Sequence, residues 1–238
     1  MSKWKYHIGI VFFTAVLAVL FVLAKQRNNA RKLTHKGVQF VGRENLFVSE
    51  NFVNKMLKET PNKSGFLTKE TLDLKLVEQR IEKQKHIEGA EVYVSVNGGL
   101  RAKVVQRTPI ARVFSSVPFY IDAKGFEMPL SSNYATRVPL VYGYTKKHKV
   151  NLLSLLNYVK NDEFLKKLVI GIYCLPKNDF SLKLRDQKFT VKLGGIDNQK
   201  LKFENFKAFY AKLKKDKLFD KYKYVNLEVT NQVICTKV

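Results

Sequence analysis

The chain has 238 residues, of which 43 are basic and 20 acidic, for a formal charge of +23. With 45% apolar and 26% charged residues it is a globular mixture able to bury a core, which excludes disorder over most of its length and suits one or two domains. Two cysteines exclude a disulfide-stapled miniprotein and a four-cysteine zinc site, while the basic surplus points to a surface drawn to polyanions or anionic headgroups.

The surplus is unevenly placed, with seven basic side chains and no acid in residues 1–36, leaving +16 on the remaining 202. From Ile8 to Ala24 the chain runs 17 residues without a charge, about 25 Å of helix. Trp4 and Tyr6 stand where aromatic rings favour the headgroup level, and Lys5 and Lys25 bracket the run as snorkelling anchors. These features predict a stub over 1–7 and one transmembrane helix over 8–24. A cleavable signal peptide is the competing reading, against which 17 apolar residues exceed its usual core. Two basic residues precede the run and five follow it closely, so charge taken literally keeps the large domain in the cytoplasm, although long domains translocate largely regardless of charge. Residues 25–36 read as a basic juxtamembrane linker.

A weak alternation over Gly37 to Gly42 predicts a strand. Ser49 can cap a helix that places Phe52, Val53, Met56 and Leu57 on one face, and Pro61, Asn62, Ser64 and Gly65 break it. Asp73 caps a second helix with Leu74, Val77 and Ile81 on one side, ending near His86. Ala90, Val92, Val94 and Val96 alternate before Asn97-Gly98-Gly99, and Leu100, Ala102 and Val104 alternate after it, the pattern of a hairpin with a tight Asn-Gly turn. Strand, helix, helix, strand, strand makes a small α+β module that stops at Gln106-Arg107-Thr108-Pro109.

Strands follow at Ile110 to Phe114, Phe119 to Asp122, Phe126 to Pro129 and Pro139 to Tyr142. A helix is predicted from Asn151 to Lys167, then strands at Leu168 to Leu175, Asp179 to Arg185 and Lys188 to Leu193. A last helix over Gln199 to Lys215 carries Phe203, Phe206, Tyr210 and Leu213 on one face, with Lys200, Lys202, Lys207, Lys212, Lys214 and Lys215 solvated around the rest. Two alternating runs, Tyr222 to Val229 and Gln232 to Val238, close the chain, the last as an edge strand.

Reactive clusters are missing from this pattern. The four histidines are scattered and read as surface residues, and no metal, nucleophile or phosphate motif accompanies them. Asp122 and Glu127 flank a turn, where Asp122 reads as a turn cap before a catalytic acid. Cys174 and Cys235 read as buried free thiols. The expectation is a protein without catalytic residues, cofactor or metal.

The segments Ile87-Glu88-Gly89-Ala90-Glu91-Val92, Val105-Gln106-Arg107-Thr108-Pro109-Ile110-Ala111-Arg112, Tyr120-Ile121-Asp122-Ala123-Lys124-Gly125, Met128-Pro129 and Val138-Pro139-Leu140-Val141-Tyr142-Gly143 resemble, in order and spacing, the bacterial cell-division family FtsQ/DivIB. The resemblance implies a POTRA module over 37–106, a mixed α/β "β domain" over 107–238 with C-terminal edge strands, and a single-pass type II inner-membrane protein with periplasmic domains at the division septum. It also implies a non-enzymatic scaffold that binds FtsB and FtsL-like proteins and connects them to the septal peptidoglycan synthase, with no nucleic acid or small-molecule substrate. The receiving strand would be Val229, Thr230, Asn231, Gln232, Val233, Ile234, Cys235 and Thr236, which would take FtsB as an added strand. The family often reads Val-Asp-Leu-Arg-Tyr where this chain has Val225-Asn226-Leu227-Glu228-Val229. Alternatives are a POTRA chaperone of outer-membrane protein assembly, which would show tandem repeats or a barrel, and a basic protein binding nucleic acid or another anionic surface.

Overall fold

The uncharged run beginning at Ile8 lies inside a longer helix, α1 (Ser2–Asn29). The computed structural model describes residues 2–29, 33–42, 47–58 and 72–238, and the chain divides into two units, Met1–Gln106 and Arg107–Val238. Within α1 the stretch Tyr6–Asn28 spans 23 residues, roughly 35 Å, long and apolar enough to cross a membrane. Its side chains are exposed, and with Phe12, Phe13, Leu17 and Phe21 spread around the helix it has no polar face to offer water. The helix outruns the expected 8–24 because Lys25, Gln26 and Arg27 are good helix formers and no glycine or proline follows Ala24. The basic linker expected over 25–36 is therefore helical as far as Asn29. It gives way to a strand, β1 (Thr34–Val41), whose Thr34 N–H donates to Gly98 O at 2.9 Å.

The first unit continues with α2 (Glu50–Lys58), α3 (Leu74–Glu82), β2 (Ile87–Val94) and β3 (Gly99–Gln106). Its sheet has the order β1-β3-β2, with β1 parallel and β2 antiparallel to β3. Ser49 Oγ accepts from Phe52 N–H (3.3 Å), and Asp73 Oδ1 accepts from the N–H groups of Lys75 (3.0 Å) and Leu76 (3.2 Å), so both helices are capped as the sequence predicts. Val53, Met56 and Leu57 of α2 and Val77 and Ile81 of α3 are buried, as are Leu100, Ala102 and Val104 of β3. Phe52, at the margin of the apolar stripe, is instead exposed. Helix α3 stops at Glu82 rather than near His86, because Gln84 N–H turns back to Ile81 O (3.0 Å). The expected break at Pro61, Asn62, Ser64 and Gly65 lies outside the described residues.

The hairpin is formed, but not around a two-residue Asn-Gly turn. The reversal takes Ser95 to Gly98, closed by Gly98 N–H to Ser95 O (2.8 Å) and Ser95 N–H to Gly99 O (2.9 Å). Only Gly98 has a positive φ, 80°, while Asn97 keeps an ordinary one. A residue with Cβ would be strained there, so the glycine and not the Asn-Gly pair makes the turn.

The second unit contains β4 (Pro109–Val113), β5 (Phe119–Asp122), β6 (Glu127–Pro129), β7 (Leu140–Tyr142), α4 (Lys149–Asn161), α5 (Glu163–Leu168) and β8 (Val169–Leu175). It goes on to β9 (Asp179–Leu184), β10 (Thr190–Gly194), α6 (Gln199–Asp216), β11 (Tyr222–Asn226) and β12 (Ile234–Lys237). All nine strands join one mixed sheet in the order β12-β11-β10-β9-β8-β7-β4-β5-β6. The register aligns Val113, Val141, Ile172, Leu182, Val191 and Val225 across one face. Each is fully buried in one core with Leu155 and Leu156 of α4, Leu165 of α5, and Phe203 and Phe206 of α6. Each such side chain contributes about 1.5–3 kcal/mol. The α+β class is as expected.

Two features of this unit correct the sequence reading. The single helix predicted over Asn151 to Lys167 is two helices, broken at Asp162, whose backbone is extended (φ −101°, ψ 113°). Its Oδ1 accepts from the N–H groups of Phe164 (3.1 Å) and Leu165 (3.0 Å), capping α5, while Oδ2 pairs with Lys207 of α6. Lys202, expected among the solvated lysines, is 5% exposed. Its ammonium donates to the carbonyls of Leu193 (3.0 Å) and Gly195 (2.8 Å), tying α6 to the end of β10.

Candidate partner-binding edge

Strand β12 is an outer strand of the nine-stranded sheet, and its partner on the inner side is β11. Of the eight residues expected to form the receiving strand, Ile234, Cys235 and Thr236 lie in β12, whereas Val229 to Val233 do not. The correction has a simple cause. An antiparallel return to β11 needs a reversal, and the polar residues after Leu227 make it. Asn226 Oδ1 accepts from Glu228 N–H (2.7 Å), Gln232 N–H donates to Val229 O (3.4 Å), and Asn205 of α6 donates through Nδ2 to Thr230 O (2.7 Å). Leu227 is buried, with its N–H on Lys192 O (2.8 Å), so the strand cannot continue outward.

Alternation along β12 decides which backbone groups are free. Val238 N–H donates to Lys221 O (3.1 Å), so by the two-residue period Thr236 and Ile234 also turn their N–H and C=O towards β11. Cys235 and Lys237 therefore turn theirs to the open edge. Side chains alternate as well. Val233 and Cys235 pack against the core, while Ile234 and Thr236 are exposed on the other face. On that face Tyr224 lies opposite Thr236, with the ammonium groups of Lys192 (4.7 Å) and Lys223 (5.6 Å) near its ring. Lys237 is absent from the residue set expected from sequence, and only the parity set by Val238 identifies it.

The remaining candidates are structural in this chain. Asp122, 3% exposed, accepts from Lys124 N–H (2.9 Å) and Phe126 N–H (2.8 Å) through Oδ1 and from Arg107 through Oδ2 (2.9 Å), which makes it the cap of its turn. His148, read from sequence as a surface residue, is 7% exposed. Its Nδ1 accepts from Thr145 N–H (3.1 Å), which leaves the proton on Nε2 to donate to Leu175 O (3.0 Å). The ring thus joins the start of α4 to the end of β8. Cys174 and Cys235 are free thiols on β8 and β12, four strand spacings or roughly 19 Å apart, beyond any disulfide. Burial pushes the Cys174 thiol up to about 11 and raises that of Cys235 as well. Among the described residues no group of three or more His, Cys, Asp or Glu is placed to hold a metal ion.

What the site offers is hydrogen-bonding backbone on a sheet edge, an arrangement suited to capturing another chain. Residues 108–236, just over half of the chain and nearly all of the second unit, match the family FtsQ/DivIB, C-terminal related. The chain belongs to this family, whose members are non-enzymatic scaffolds of cell division. No curated protein matches the chain.

Proposed function

We propose that the chain is a bitopic division scaffold without catalytic activity, which captures an FtsB-like partner, with its FtsL-like companion, by strand addition along β12. In this reading α1 spans the inner membrane with residues 1–7 in the cytoplasm. The first unit serves as the POTRA domain over 37–106, and both units lie in the periplasm at the septum, linking the captured pair to the septal peptidoglycan synthase. The observation that carries it is the outward-facing N–H and C=O pair on each of Cys235 and Lys237, at the edge of a sheet whose core is otherwise complete.

Four backbone groups support about four hydrogen bonds of roughly 1 kcal/mol each, so blocking one donor should be plainly visible. Cys235→Pro removes an outward N–H without touching the bonds to β11. In full-length protein carrying this change, capture of a purified FtsB–FtsL pair should fall about tenfold or more, equivalent to 1.4 kcal/mol, with the melting temperature nearly unchanged. Undiminished capture overturns the site. A reporter active only outside the cytoplasm, fused after Val238, tests the topology, and a silent reporter overturns the periplasmic placement.

A further inference from the structure

The five strands β8 to β12 have two ends that differ in charge. Strands β8, β10 and β11 start, and β9 and β12 finish, at one end, as their parallel and antiparallel pairing requires. Helix α6 also finishes there, since it connects the end of β10 to the start of the parallel strand β11. Six exposed lysines gather at this end: Lys214, Lys215, Lys217, Lys221, Lys223 and Lys237. Contacts hold the contributing segments together. Val238 N–H reaches Lys221 O (3.1 Å), Lys188 pairs with Asp220 (2.9 Å), and Arg185 donates through Nε to Lys167 O (3.1 Å). The carboxylates present are Asp186, Asp216 and Asp220, too few to balance the cations. At the opposite end of the same strands, which His148 joins to the start of α4, the balance is closer, with Lys146, Lys147, Lys149, Lys177 and Lys200 beside Asp179, Asp197 and Glu228.

The helix dipole accounts for lysines in the last turn of α6 but not for Lys221, Lys223 and Lys237, which lie beyond it. We propose that this end of the second unit binds an anionic lipid surface. Two observations select that occupant. The patch is built of lysines, mobile point charges suited to a diffuse layer of headgroups, and its one arginine, Arg185, already spends its Nε–H on a backbone carbonyl. The chain also carries an apolar helix long enough to cross a membrane, and a bilayer holding that helix is present at a far higher effective concentration than any dissolved polyanion. Val238, 89% exposed, adds an apolar side chain at the same end. The inference goes beyond the strand-addition reading and does not depend on it.

The test uses the full chain in nanodiscs of neutral lipid or of about 30% phosphatidylglycerol, with lysine acetylation rates read by mass spectrometry. In anionic discs at low salt Lys214, Lys215, Lys217 and Lys221 should react about threefold more slowly or less, with the rates restored at about 0.5 M salt. Lys177 and Lys200 should be unaffected. In the triple variant Lys214→Glu, Lys215→Glu, Lys217→Glu, the slowing at Lys221 should vanish while that variant's melting temperature is unchanged. Equal rates in the two discs, equal slowing at both ends of the strands, or slowing by dissolved polyphosphate but not by anionic discs would each overturn the proposal.

Discussion

The outer edge of β2 and the outer edge of β12 face the same hazard, a row of unpaired backbone groups, and the chain treats them in opposite ways. At β2 two side chains of α3 supply the missing acceptors, Glu78 Oε1 taking Val92 N–H at 2.7 Å and Glu82 Oε1 taking Ala90 N–H at 3.2 Å. Glu78 and Glu82 are four residues apart, hence on one helix face, and Ala90 and Val92 are two apart, hence on one strand edge, so the two periods match. An arriving strand would have to displace two carboxylates. At β6 the far edge of the large sheet is only three residues long and ends at Pro129, which has no N–H to give. Among the described residues strand β12 has neither device, and the difference separates edges closed by their own unit from one available to a partner.

The strongest break of this comparison is to open the closed edge. Glu78→Ala with Glu82→Ala should expose the N–H groups of Val92 and Ala90. It should lower stability by about 2–4 kcal/mol, most of it from the shorter bond. The newly free β2 edge should also drive concentration-dependent self-association, read by sedimentation velocity of the detergent-solubilised chain. A double variant as monodisperse as the parent would show that the glutamates do not guard the edge. Next in size is Thr236→Pro, the converse of the Cys235 substitution. Thr236 N–H faces β11, so its loss should unpair β12 at a cost of about 2–3 kcal/mol and accelerate amide exchange at Tyr224 and Asn226, the β11 residues that face β12. Equal stability of the Thr236 and Cys235 proline variants would refute the assigned parity.

How far these edges could be read from sequence differs in an instructive way. Periodicity places the helices of the first unit, their caps at Ser49 and Asp73, the hairpin and most strands of the second, because alternation and three-four spacing are local. The β2 plug is not local. Glu78 and Glu82 look like solvated positions of a short helix until β2 is laid beside α3, and nothing in the spacing alone announces it. Lys202 is hidden for the same reason, since a lysine on α6 is read as exposed until the carbonyls of Leu193 and Gly195 are seen above it. Alternation separates the runs Tyr222 to Val229 and Gln232 to Val238, but it does not show that the reversal held by Asn226, Asn205 and Gln232 ends β11 at Asn226 and delays β12 to Ile234. The break at Asp162 did carry a signal. Leu152, Leu155, Leu156 and Val159 keep one helical face, but Leu165 falls about 120° away from it, as it must if a new helix has begun.

That break supplies the smallest expected effect and a control for the comparison, because it sits away from both edges. Burial works against ionisation of Asp162, but the Lys207 ammonium and the N–H groups of Leu165 and Phe164 outweigh it, and its carboxyl is held below the usual carboxylate range. A carboxyl depressed in the folded state adds stability above its unfolded value, near pH 4, and that stability fades as pH falls through the lower folded value. Asp162→Asn keeps an N-cap but loses the ion pair. It should cost about 1 kcal/mol at neutral pH, and the gap to the parent should close on acidification below pH about 4. Capture of the partner by β12 should be unchanged in this variant. If Asp162→Asn weakened capture as much as Cys235→Pro does, loss of binding would track loss of stability rather than loss of the edge donor, and β12 would no longer differ from β2 in kind.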